Sequence, residues 1–128
     1  MAYGRLAVLL LVLGMVTPLD AAEPANQRPD AATAAQLVKS GAVLLDVRTQ
    51  EEWDEGHVKA ARFAPWQTLE LSSAALPKDK NTPIVTYCRS GARAQLAAQK
   101  LRGLGYTRVV AMEGGLADLE AAGVKVEK

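Results

Sequence analysis

Cysteine and histidine are almost missing from this sequence: its 128 residues hold Cys88 and His57 and no other residue of either type. With one cysteine the chain cannot close an internal disulfide, so the core alone must hold its fold. One histidine and one cysteine are also too few ligands for a metal site of the usual type, and neither metal nor cofactor is expected. Charge of one sign is lacking as well. Fifteen Lys and Arg against 14 Asp and Glu leave a formal charge of +1, which gives no pull toward nucleic acid or an anionic membrane. The apolar run Leu6 to Val16 is about half the ~20 residues a transmembrane helix needs. No internal repeat or low-complexity tract is apparent, and GLGY at Gly103 follows a helix and precedes a strand, the reverse of a dinucleotide fingerprint.

What is present begins at the N-terminus. Arg5, the apolar run after it, Pro18 and the small residues Ala21 and Ala22 follow the order of a secretory signal peptide. Cleavage is expected after Ala21 or Ala22, although Leu19 or Asp20 then stands where a small residue is usual. Residues 1–22 are therefore assigned to a signal peptide, 23–29 to a polar, proline-bearing linker, 30–124 to one globular domain and 125–128 to a C-terminal tail. A periplasmic location follows, with no stable membrane insertion after cleavage. A leftover cysteine in such a compartment implies a free reactive thiol or an intermolecular pair.

Along the domain, strand and helix signals alternate. Asp30 caps a helix over Ala31 to Ser40, which stops at Gly41. AVLLDV (Ala42 to Val47) and PIVTYC (Pro83 to Cys88) are apolar runs of the kind that is buried on both faces of a parallel sheet. Between them, TQEE from Thr49 is a capping box that opens a short helix ending near Gly56; ARFAP reads as a short strand and WQTLELSSAAL as a helix. Ala94, Ala97, Ala98, Leu101 and Leu104 form the apolar stripe of the strongest helix. RVVAM (Arg108 to Met112) is a further strand, EGG a turn, and Leu116 to Ala122 a last helix. The expected fold class is α/β, a central parallel β-sheet flanked by helices on both faces.

Cys88 falls where a buried strand ends, the edge at which α/β sheets bind ligands. The helix that follows offers unpaired first-turn N–H groups and a partial positive charge, and the loop RSGAR between them can curl its N–H groups over the sulfur, with Gly91 permitting the tight backbone. Arg89 and Arg93 add two charges. Such surroundings favour the thiolate, which is the nucleophile, and form an anion pocket beside it. A lone cysteine is often a buried apolar filler, but a filler does not need two arginines and a glycine within five residues of a strand end. Asp46 and Arg48 read as a structural pair, His57 as a hydrogen-bonding structural residue, and Trp53 and Trp66 as packing, with Trp66 a candidate for the pocket mouth.

Taken together, LLDVRTQEEWDEGHVKAA, PIVTYCRSGARAQLAAQKLRGLGY and MEGGLADLEAAG resemble a single-domain rhodanese from about Asp30 to Gly123. The resemblance implies a rhodanese-like fold and sulfurtransferase activity through a cysteine persulfide. Cys88 is then the sulfur-accepting nucleophile, Arg89, Ser90, Gly91, Ala92 and Arg93 form the substrate-binding cradle, and Asp46, Arg48 and His57 belong to the upstream signature. Lys59 and Ala60 replace the usual Pro-Gly after Gly-His, and Leu119 stands where tryptophan is common. The partners implied are a small anionic sulfur donor such as thiosulfate or a persulfide, and a thiol, protein thiol or cyanide acceptor. The Ser90 hydroxyl is a further candidate donor to the persulfide. Two other readings compete: a persulfide carrier or binding module serving one protein partner, and a Cys-dependent phosphatase. The loop length opposes the phosphatase, since Cys88 to Arg93 spans six residues and the related cell-cycle phosphatases have one more.

Overall fold

Asp30 accepts a hydrogen bond from the Thr33 N–H at 2.9 Å and so starts α1 (Ala31–Lys39), and Gly41, at φ +110°, turns the chain out of it. The computed structural model describes residues 28–128, so the signal-peptide assignment lies outside the described residues. β1 (Val43–Asp46) follows, then α2 (Gln50–Glu55), where Thr49 and Glu52 form the expected capping box. Two short strands come next, β2 (His57–Val58) and β3 (Arg62–Phe63), then a 3-10 helix (Trp66–Leu71). The second half runs β4 (Ile84–Cys88), α3 (Ala92–Gly103), β5 (Val109–Gly115), α4 (Leu116–Ala121) and β6 (Val126–Glu127).

The central sheet has the order β3-β1-β4-β5, with every pairing parallel. β4 is buried at all five positions, as its largely apolar character leads one to expect. Alternation along it builds two cores. Ile84 and Cys88 face α3, packing with Leu45, Leu69, Ala94, Ala97, Ala98 and Leu101, while Val85 and Tyr87 face α1 and α4, packing with Ala34, Leu44, Met112 and Leu119. Helices therefore cover both faces. Thr86 shares the α3 face and satisfies its buried hydroxyl by donating to the Ala94 carbonyl at 2.8 Å.

Four expectations are corrected. The segment WQTLELSSAAL forms only a 3-10 helix, interrupted at Thr68 (φ −123°, ψ 32°) and stopped at Ser72, where hydroxyl residues compete for the backbone. EGG is not a turn: β5 runs on to Gly115, because a register shift between Thr86 and Cys88 brings Gly115 opposite Cys88. Residues 125–128, assigned to a C-terminal tail outside the domain, take part in the fold, since β6 pairs antiparallel with β2 and the Lys59 N–H donates to the Lys125 carbonyl at 2.9 Å. The end of the expected linker is docked too, with the Glu113 N–H donating to the Pro29 carbonyl at 2.8 Å.

Candidate active site

Cys88 is the last residue of β4 and its side chain is buried. Its Sγ accepts a hydrogen bond from the Gly91 N–H at 3.0 Å. That contact requires the chain to fold back within three residues, which Gly91 allows at φ +111° as the N-cap of α3. The return path is further enforced from β5: a Cβ on Gly115 would run into the Arg89 carbonyl, so only glycine leaves room for the loop. Ala92 and Arg93 open α3, and their first-turn N–H groups have no intrahelical acceptor. The sulfur thus lies against the Gly91 N–H, at the positive end of a twelve-residue helix.

The arginines divide the work differently from the expectation. Arg93 does not offer a free charge to the pocket; it donates to both oxygens of Glu52, at 2.6 and 3.0 Å. That hydrogen bond holds the Glu52 carboxyl down at about 2, aided by Thr49, and keeps Arg93 firmly charged. Glu52 is a site residue that sequence reasoning took for a helix cap alone. The capping box was the available signal, because it fixes the carboxylate on the first turn of α2, but nothing in the spacing tells that this turn faces the loop. Arg89 is exposed and has no ion-pair partner among the described residues. It lines a cleft of about 430 Å³ together with Arg48, Glu52, Glu55, Gly56, Leu116 and Ala117. Arg89 is therefore an unpaired cation on the rim of a cleft that also carries the carboxylates of Glu52 and Glu55. Ser90 is exposed, and its hydroxyl makes no hydrogen bond to Cys88 among the described residues.

Beneath the cleft, Asp46 and Arg48 form the structural pair read from the sequence. Arg48 donates to both Asp46 oxygens, at 2.9 and 2.7 Å, and to the Gly56 carbonyl at 2.7 Å, with its guanidinium 5.7 Å from the Tyr87 ring centre. Tyr87 donates its hydroxyl to Asp46 at 2.5 Å; burial and then the Asp46 charge push its pKa up, so it stays a donor. This network ties β1, β4 and the end of α2 into one frame. His57 stacks on Trp53 with ring centres 3.5 Å apart, its Nδ1 lies 2.8 Å from the Trp53 carbonyl and its Nε2 3.4 Å from Glu127. It fixes the α2–β2 corner and makes no contact with the loop. Trp66, a candidate for the pocket mouth, packs instead against the α3 core, with Lys100 reaching its carbonyl at 3.0 Å.

A cysteine at the end of a central parallel strand, cradled by a short loop that runs into a helix, defines a class of domain that sequence comparison identifies independently. Residues 30–122 match the Rhodanese-like domain family, and the chain belongs to that family. Among particular relatives, it is 36% identical over 74 residues to a sulfurtransferase of Allochromatium vinosum, covering 58% of this chain and 67% of that one. It is 33% identical over 81 residues to a thiosulfate sulfurtransferase of Escherichia coli, covering 63% and 77% respectively. The fold is similar to that of a rhodanese-like domain from Anabaena sp., with a TM-score of 0.69, 28% identity and coverage of 82% of this chain and 79% of that one.

Proposed function

We propose that the protein is a rhodanese-type sulfurtransferase that carries a sulfane sulfur on Cys88, taking it from a small anionic donor such as thiosulfate and passing it to a thiol, a protein thiol or cyanide. The observation that carries this reading is the Cys88 sulfur held 3.0 Å from the Gly91 N–H, beneath the first turn of α3. In the first half-reaction the Cys88 thiolate attacks the outer sulfur of the donor. A new S–S bond forms, the donor's own S–S bond breaks, and sulfite leaves with the electron pair. The negative charge now sits on the terminal persulfide sulfur, one atom further toward the loop, where preorganised N–H donors stabilise it without rearrangement. In the second half-reaction an acceptor nucleophile takes that sulfur and Cys88 leaves as the thiolate, a ping-pong cycle. Arg89, exposed, next to Cys88 in the loop and without an ion-pair partner among the described residues, supports the choice of an anionic donor. The basic, apolar and small-residue order of residues 1–22 supports export, and a periplasmic site of action belongs to the proposal.

The purified chain, incubated with thiosulfate, is expected to gain the mass of one sulfur atom, and Cys88→Ala is expected to gain none. Release of that sulfur to cyanide as thiocyanate completes the cycle. No gain from any sulfane donor, with hydrolysis of a phosphate ester instead, would overturn the reading.

A further inference from the structure

The residue just before the domain, assigned from sequence to a linker, lies against the cradle. Arg28 reaches the Gly91 carbonyl with its Nη2 at 3.4 Å, and the same carbonyl accepts the Gln95 N–H at 3.1 Å as the first bond of α3. Two observations mark this contact as held in place. The Pro29 carbonyl is bonded to the Glu113 N–H at 2.8 Å, which pins the segment to β5 one residue after Arg28. The Arg28 Nε is buried without a hydrogen-bond partner among the described residues, a position an arginine at a solvated chain end would leave for water. Gly91 accommodates the approach, because a Cβ there would collide with the Arg28 guanidinium. No carboxylate pairs with Arg28 among the described residues, in contrast to Arg48 and Arg93.

The Gly91 carbonyl belongs to the same planar peptide as the Ala92 N–H, and in a trans peptide the two point in opposite directions. A cation on the carbonyl side therefore polarises the N–H on the other side, which is one of the first-turn donors left without an intrahelical acceptor. We propose that Arg28 is a positioning residue of the cradle: it holds and polarises the Gly91–Ala92 peptide so that the Ala92 N–H stabilises negative charge on the sulfur carried by Cys88. The inference rests on the sulfur-transfer reading for its biological meaning, but the same peptide would stabilise negative charge on the Cys88 sulfur in any reaction of that thiol.

The test uses the full chain and the variants Arg28→Ala, Arg28→Gln and Arg28→Lys. In single turnover with saturating thiosulfate, Arg28→Ala is expected to form the Cys88 persulfide about fivefold more slowly, the size of one lost charge-assisted hydrogen bond acting at second hand. The half-saturating donor concentration and the final extent of persulfidation stay unchanged. Arg28→Lys, which keeps the charge, recovers most of the rate; Arg28→Gln, which keeps a donor without charge, does not. A purely structural role would instead lower the extent of reaction, and a Gln variant as fast as wild type would overturn the proposal, as would an Ala variant with wild-type rate. Should Arg28→Ala fail to fold, the Lys and Gln pair decides alone. Alkylation of Cys88 by iodoacetamide at fixed pH separates this inference from the function. If wild type accepts no sulfur, the sulfurtransferase reading fails, and Arg28 is still judged by whether alkylation slows in the Ala and Gln variants and recovers in the Lys variant.

Discussion

Both oxygens of Glu52 are taken up by the fork of Arg93, at 2.6 and 3.0 Å, so the two charges nearest the cradle's far end cancel. Removing either partner uncovers the other, and the two variants should move donor binding in opposite directions. Arg93→Ala leaves a carboxylate that remains ionised at neutral pH and repels an anionic donor. Glu52→Gln leaves an uncompensated guanidinium that attracts it. For partly exposed charges each effect is worth about 1 kcal/mol, or about a fivefold change in KM for thiosulfate, upward for Arg93→Ala and downward for Glu52→Gln. Steady-state rates at two salt concentrations check this, since both shifts should shrink as ionic strength rises. A common direction for the two variants would show that Arg93 acts on loop geometry and not on charge.

At the scale of elements, the sheet path to the site runs through pieces too short to announce themselves. β6 pairs with β2, His57 of β2 stacks on Trp53 of α2, and α2 carries Glu52. Truncation after Val124 is therefore expected to cost about 1–2 kcal/mol, the worth of two or so backbone hydrogen bonds, and to speed proteolysis of the α2–β2 corner. Denaturant midpoints checked at equal slope would read it; an unchanged midpoint would make β6 an ornament. The long elements were legible beforehand because each carries many repeats of one pattern, five buried positions in β4 and four on the α3 stripe, whose expected fifth member, Leu104, is instead the exposed C-cap where the helix has already ended. Two-residue strands such as β2 and β6 hold one period at most, and their pairing joins residues far apart in the chain, which no local pattern records. The same limit applies at the site. Cys88, its loop and the Gly91 turn are contiguous and could be read directly, whereas Glu52 and Arg28 reach the loop across 41 and 63 residues and appear only when the chain is folded.

For the whole molecule, the lack of any second cysteine leaves stability to the two apolar layers and to a few placed ion pairs, and one of these gives it a pH signature. The folded-state Glu52 carboxyl titrates at about 2, against an ordinary value of 4.5. A lowered carboxyl pKa stabilises the native state fully above 4.5, less as pH falls toward 2, and not at all below that. The Asp30 cap is lowered by the Thr33 backbone and side chain and acts in the same direction. The Glu52 shift corresponds to about 3 kcal/mol if unscreened, but with side chains 23% and 28% exposed the pair contributes about 1 kcal/mol once water and salt are allowed for. Urea midpoints of wild type and Glu52→Gln, compared from pH 7 down to pH 3, isolate that contribution from every other titrating group. The wild-type advantage should be flat from pH 7 to about 5 and fall to less than about half by pH 3. An advantage near zero across the range would mean that Glu52 works through the capping hydrogen bonds to Thr49, which glutamine also accepts, and not through Arg93, and the charge argument for the cradle would fall with it.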